Sequence, residues 1–127
     1  MIVVDTSVWI SALRSPSSPE TAILRGLLDA DEVALPAPVR SELLMGAAGA
    51  KRGPLANALS ALPLLYPTDG TWRTLDAWTE RAATRGHSFS LGDLLIGILA
   101  AEAGALVWSL DGDFERLARL KLVQMYR

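Results

Sequence analysis

Ile2-Val3-Val4-Asp5-Thr6-Ser7-Val8-Trp9-Ile10 opens the chain with three β-branched residues, a carboxylate, and hydroxyl residues leading into apolar positions at helical spacing. β-branched side chains are stiff at χ1 and suit a buried pleated surface. The stretch therefore predicts a short buried strand followed at once by a helix carrying Trp9, Ile10 and Leu13. Working outward, Ser15 to Glu20 is a break, and Ser18 before Pro19 is a helix start for Ile23, Leu24, Leu27 and Leu28. Val33-Ala34-Leu35 reads as a second strand ending at Pro36, with a helix from about Ala37 to Ala48 and Gly49 near its end.

A weakly bounded helix follows over Leu55 to Leu62, and Leu64-Leu65-Tyr66 forms a third strand. Thr71 to Thr84 repeats Trp72, Leu75, Trp78 and Ala82 as an amphipathic helix. Arg85 to Phe89 is a loop, and Ser90 starts the most apolar helix, Leu91 to Ala103. Leu106-Val107-Trp108 is a fourth strand, Asp113 to Arg119 a short helix, and Leu122-Val123-Gln124 a possible fifth strand. Alternating strands and helices predict an α/β fold, a three-layer α/β/α sandwich around a parallel sheet of four to five strands. Ligands in such folds bind beyond the carboxyl ends of the strands.

The chain has 127 residues, half of them apolar and 20% charged, so one domain over residues 1–127 with a sizeable core is expected. With no cysteine, disulfides and thiolate zinc sites are excluded. The N-terminus lacks the features of a signal peptide and no apolar run approaches the ~20 residues of a membrane span, so a soluble cytoplasmic protein is expected. A net charge of −2 gives no global basic field for phosphate.

Four carboxylates stand where apolar elements begin or end: Asp5, Glu42, Asp93 and Asp111. Each has a structural alternative. Asp5 can cap the first helix, Ser90-Leu91-Gly92-Asp93 matches a capping box, Asp111-Gly112 is a turn pair, and Glu42 can be a solvated helical residue. As a set they point elsewhere. Carboxylates gathered in one pocket repel unless a cation neutralises them, and Mg²⁺ or Mn²⁺ prefers such oxygen ligands.

These segments, with Val39-Arg40-Ser41-Glu42-Leu43-Leu44-Met45-Gly46 and Ser109-Leu110-Asp111-Gly112-Asp113-Phe114, give the chain a close likeness over nearly its whole length. It resembles the PIN-domain nucleases and, among them, the VapC toxins of bacterial toxin–antitoxin pairs. The resemblance implies that Asp5, Glu42, Asp93 and Asp111 form the acidic metal site. Thr6, Ser7 and Ser109 would be nearby polar supports, and Asp113 a more variable acidic position. Gly92 and Gly97 soften the helix bearing Asp93, and Ser109 stands where the family often has Thr.

The implied activity is a metal-dependent endoribonuclease using Mg²⁺ or Mn²⁺, the toxin of a toxin–antitoxin module. A homodimer and a VapB-like antitoxin would be its protein partners, with an apolar helical segment of the antitoxin suited to Trp9 through Leu28. Arg14, Arg40, Arg52 and Arg85 are candidate contacts to the RNA backbone, each of which can also be ordinary surface charge. His87 can touch RNA, move a proton, or be structural, and Trp9, Trp72 and Trp78 are read as packing or interface residues. Two other readings stand beside this one. A haloacid-dehalogenase-like phosphotransferase also places Asp after a first strand, but it needs a second Asp where Ser7 stands. A catalytically silent binding domain would keep the fold without metal.

Overall fold

Short apolar strands can be satisfied only if both of their faces are covered, and the helices between them do this. The computed structural model describes residues 1–127. Its elements are β1 (Ile2–Val4), α1 (Thr6–Arg14), α2 (Pro19–Asp29), β2 (Val33–Pro36), α3 (Ala37–Gly46) and α4 (Gly49–Leu59). β3 (Leu64–Leu65), α5 (Asp69–Thr84), α6 (Leu91–Glu102), β4 (Leu106–Trp108) and α7 (Gly112–Arg119) complete the chain. Every strand pairing is parallel and the order across the sheet is β3-β2-β1-β4.

The chain thus runs from β1 out to β3, then returns across the sheet to add β4 on the free side of β1. Right-handed crossovers in opposite directions put helices on opposite faces, which gives the α/β/α layering. The change of direction also opens a crevice between the carboxyl ends of β1 and β4. Val4 pairs with Trp108 in the β1–β4 register, and the Asp5 amide donates to the Trp108 carbonyl at 2.8 Å. Asp5 and Ser109 consequently stand side by side where the two strands stop.

The core is built on Val3, Val4, Leu35, Val107, Phe114 and Leu117, all essentially inaccessible to solvent. α6 is buried continuously from Leu94 to Ala100 because it packs on α3, α5, α7 and the sheet. No helix is long and apolar enough to cross a membrane.

Three sequence expectations change. The fifth strand reduces to one bridge between Val107 and Met125, so the sheet has four strands. α4 begins at Gly49, six residues ahead of its expected start, and accommodates Pro54 inside the helix. The buried stripe of α5 is Thr71, Leu75, Trp78 and Ala82, so Trp72 faces outward with 47% exposure. The i, i+4, i+7, i+11 spacing follows the helical period better than one starting at Trp72, and Thr71 is held inside by a capping box with Thr68 and a hydrogen bond to Glu102 at 2.9 Å. Leu13 is exposed and lines a groove between α1, α3 and α4.

Gly97 is a point of close approach rather than a soft spot. A Cβ there would lie 3.2 Å from Trp78 Cζ3 and 3.3 Å from Val123 Cγ1. A side chain at this position overpacks the junction of α5, α6 and the C-terminal segment. Gly97→Val should lower unfolding free energy by about 1–3 kcal/mol in urea titrations; a variant as stable as the parent would contradict this packing.

Candidate metal centre

Asp5 is both a helix cap and the hub of the crevice. Its Oδ2 accepts from the Ser7 hydroxyl at 2.7 Å, the Ser109 hydroxyl at 2.8 Å and the Ser7 amide at 3.4 Å. Although it is only 5% exposed, its Oδ1 takes no hydrogen bond from the protein and keeps its lone pairs available. The two serine hydroxyls also work in the other direction. Ser7 Oγ accepts from the Leu110 amide at 3.0 Å and Ser109 Oγ from the Asp111 amide at 2.9 Å. Ser7 and Ser109 thereby fasten the segment after β4 to the end of β1. The position where a phosphotransferase of the haloacid-dehalogenase type needs a second Asp is occupied by a hydroxyl donor.

Asp111 caps α7 by accepting from the Asp113 amide at 2.9 Å. Asp93 behaves differently. Ser90 Oγ accepts from the Asp93 amide at 3.1 Å, but the Asp93 carboxylate leaves the reciprocal arm of the box unmade and turns toward α7. Carboxylate oxygens of Asp93, Asp111 and Asp113 all lie within 4.8 Å of one another. Asp113 is thus a full member of the cluster, where the sequence had ranked it behind Glu42.

Glu42 is outside that trio. It projects from α3 and accepts from the buried Thr6 hydroxyl at 3.0 Å, at the mouth of the groove that also holds Leu13 and Arg14. Thr6 is therefore a support for Glu42 rather than for the trio.

The electrostatics record the crowding. Burial, a hydrogen bond to Asp113 and the charges of Asp111 and Asp5 push the Asp93 carboxyl up to about 7. Asp113 moves the other way, chiefly because Arg116 donates to it at 2.6 Å. Asp93 therefore keeps a proton shared with Asp113 near neutral pH, the arrangement expected when more carboxylates meet than can all be ionised. Three hard oxygen donors, one of them retaining a proton where the carboxylates crowd, fit Mg²⁺ or Mn²⁺.

The basic residues named from the sequence are dispersed. Arg14 is exposed on the groove, Arg85 is exposed at the start of the α5–α6 segment, and Arg40 is half-buried on α3. Arg52 donates to the carbonyls of Leu44 at 3.0 Å and Ala47 at 3.1 Å, closing the end of α3. His87 stands 3.2 Å from Arg116. Arg116 went unnoticed in the sequence, though an Asp and an Arg three apart on a short helix, as in Asp113 to Arg116, are neighbours on one face.

Comparison with known proteins bears on the fold and the family. The PIN domain family matches residues 2–120. Ribonuclease VapC11 of Mycobacterium tuberculosis is 33% identical over 129 aligned positions, covering 98% of this chain and 96% of that protein. Among solved structures, VapBC-5 from the same organism aligns with a TM-score of 0.70 and 26% identity over 98% of this chain and 96% of that one. VapBC2 from Rickettsia felis, bound to a DNA fragment from the promoter, gives 0.81 at 17% identity over 99% and 98%, which speaks to the fold. The sheet order, the carboxylates at the β1–β4 crevice and these matches lead to one conclusion: the chain belongs to the PIN domain family.

Proposed function

We propose that this protein is a divalent-cation-dependent endoribonuclease and the toxin of a toxin–antitoxin pair. The observation that carries the reading is the Asp93–Asp111–Asp113 cluster beside buried Asp5, at the strand ends where an α/β sheet binds its ligand. The named VapC ribonuclease relative supports RNA as substrate, and the cytoplasm, where RNA is plentiful, as the place of action.

Asp93, Asp111 and Asp113 would hold the cation, with Asp5 Oδ1 available to a water or to the ion itself. When bound, Mg²⁺ or Mn²⁺ supplies the Lewis acidity that activates water and stabilises charge developing on a phosphodiester. Ser7 and Ser109 keep Asp5 aimed. Asp93 would act as a ligand in its deprotonated form, giving up the proton it shares with Asp113. Glu42, steadied by Thr6, would accept hydrogen bonds from water at the substrate. Arg14, Arg40 and Arg85 are the candidate backbone contacts; the donors of Arg52 that close α3 leave it less free for this task.

The same reading gives the groove an occupant. A cavity of about 400 Å³ between α1, α3 and α4 is lined by Ile10, Leu13, Leu43 and Leu55 together with Arg14, Lys51 and Glu42. An apolar helical segment of a VapB-like antitoxin, with acidic residues to meet Arg14 and Lys51, would lie there and cover the centre. VapBC complexes among the related structures support this partner, and the homodimer implied by the family likeness belongs to the same proposal.

Purified protein should cut RNA at discrete positions with Mg²⁺ or Mn²⁺ and stop in chelator. Asp5→Asn and Asp93→Asn should each reduce the rate at least 100-fold while circular dichroism stays native; cleavage that survives in both would sink the nuclease assignment in favour of a silent binding domain. Leu13→Glu with Leu55→Glu should abolish copurification with the coexpressed antitoxin, and undiminished capture would exclude the groove.

The proton on Asp93 sets a pH dependence with a definite sign. Its folded carboxyl is raised to about 7 against an ordinary 3.8, so the folded cation-free protein binds more protons than the unfolded chain between these values. Stability from this group therefore falls as pH rises from about 4 to about 7. Urea titrations in chelator should give lower stability at neutral pH than at mildly acidic pH, Asp93→Asn should flatten that slope, and added Mn²⁺ should stabilise more as pH rises. An identical slope in Asp93→Asn would contradict the assignment.

A further inference from the structure

α7 carries a cation that the proposed reaction does not yet use. Arg116 lies one helical turn beyond Asp113, with 31% of its side chain exposed, and its guanidinium meets three groups at once. Nη2 donates to Asp113 Oδ1 at 2.6 Å, Nη1 stands 3.2 Å from His87 Nδ1, and Cζ sits 4.6 Å from the centre of the Phe89 ring. The His87 and Phe89 rings lie 6.1 Å apart, tilted by 32°. Both belong to the segment between α5 and α6. That segment leaves α5 through Gly86 at φ +75° and ends at Ser90, which caps the helix bearing Asp93. One planar cation therefore touches both the Asp113 carboxylate and the loop that delivers Asp93.

An isolated ion pair at this exposure would contribute little. Three simultaneous contacts made by the fork, the edge and the face of one guanidinium are another matter, because they restrain two chain segments relative to each other. Partners of this kind, one step behind the ligands, commonly govern how well a metal site binds.

We propose that Arg116 is a positioning residue: it aims Asp113 and, by clamping His87 and Phe89, holds the α5–α6 segment so that Asp93 meets Asp113 and Asp111. The proposal rests on the carboxylates binding a cation as argued above. Arg116 acts through Asp113 and the loop, so its removal alters the centre without removing a ligand. It also gives His87 a structural task, as one edge of the clamp.

The test is Mn²⁺ affinity, read from the paramagnetic resonance signal of free Mn²⁺ during titration of the whole protein, with circular dichroism as the check on folding. Mass spectrometry after brief trypsin treatment reports separately on opening of the Arg85–Gly86 bond. Arg116→Ala should weaken Mn²⁺ binding about tenfold or more and speed cleavage at Arg85. Arg116→Lys should recover most of the affinity, since an ammonium still pairs with Asp113, yet leave Arg85 cleavable, since it lacks the fork and the flat face.

With Asp113 already changed to Asn, Arg116→Ala should add a further loss smaller than the one it causes in the parent, since only the loop contacts remain to be removed. Wild-type affinity in Arg116→Ala, or a full additional loss on top of Asp113→Asn, overturns the proposal. Should Arg116→Ala fail to fold, Arg116→Lys and Phe89→Ala carry the test, and unchanged protection of Arg85 in both overturns it. Wild-type protein that binds no Mn²⁺, or binding that persists in Asp93→Asn, refutes the cation centre itself, whereas normal wild-type binding with an indifferent Arg116 refutes only the clamp.

Discussion

Asp93, Asp111 and Asp113 hold carboxylate oxygens within 4.8 Å of one another, and like charges at that separation oppose folding. Two unit charges so placed repel by roughly 1 kcal/mol in bulk water and about 3.5 kcal/mol at an effective dielectric near 20. The fold tolerates the arrangement through particular local means. Asp93 retains a proton shared with Asp113, Arg116 stands against Asp113, and the α7 amide of Asp113 bonds Asp111. A bound dication would replace the proton, which is why a cluster that burdens the apo protein makes sense as a site.

The surrounding structure exists to bring those groups together. β1 and β4 are neighbours only because the chain reverses its direction of travel across the sheet, and that reversal opens the crevice at their ends. Asp5 and Asp111 each close a strand and cap the next helix, so one carboxylate serves local structure through one oxygen and leaves capacity for the site. Ser7 and Ser109 lock the two strand ends together across more than a hundred residues of sequence. Capping and function, which compete as explanations when the sequence is read alone, coexist at Asp5 and Asp111.

Strands β1, β2 and β4 and the buried α6 were legible because their signal is local: runs of β-branched residues, caps, and unbroken apolar character. Asp5, Asp93 and Asp111 could be singled out because each sits at an element boundary. What sequence could not supply was distance. Asp113 lies with Asp93 and Asp111 while Glu42 stands outside that trio, because proximity to Asp93 depends on how α7 approaches α6 in the packing around Gly97, Leu117 and Val123. Trp72 was misassigned to the buried face because its bulk outweighed the better helical period beginning at the small polar Thr71. The expected fifth strand dwindled to a bridge at Met125, since only one residue pair there reaches β4.

An overall charge of −2 does not argue against a nucleic-acid substrate when the cation, rather than the surface, meets phosphate. That makes ion location the point on which the account turns. Crystals soaked in Mn²⁺ and measured near the manganese absorption edge answer it directly. The account predicts an anomalous difference peak among the Asp93, Asp111 and Asp113 carboxylates, beside Asp5. A well-ordered crevice with no peak there, or a sole peak elsewhere on the molecule, would contradict it.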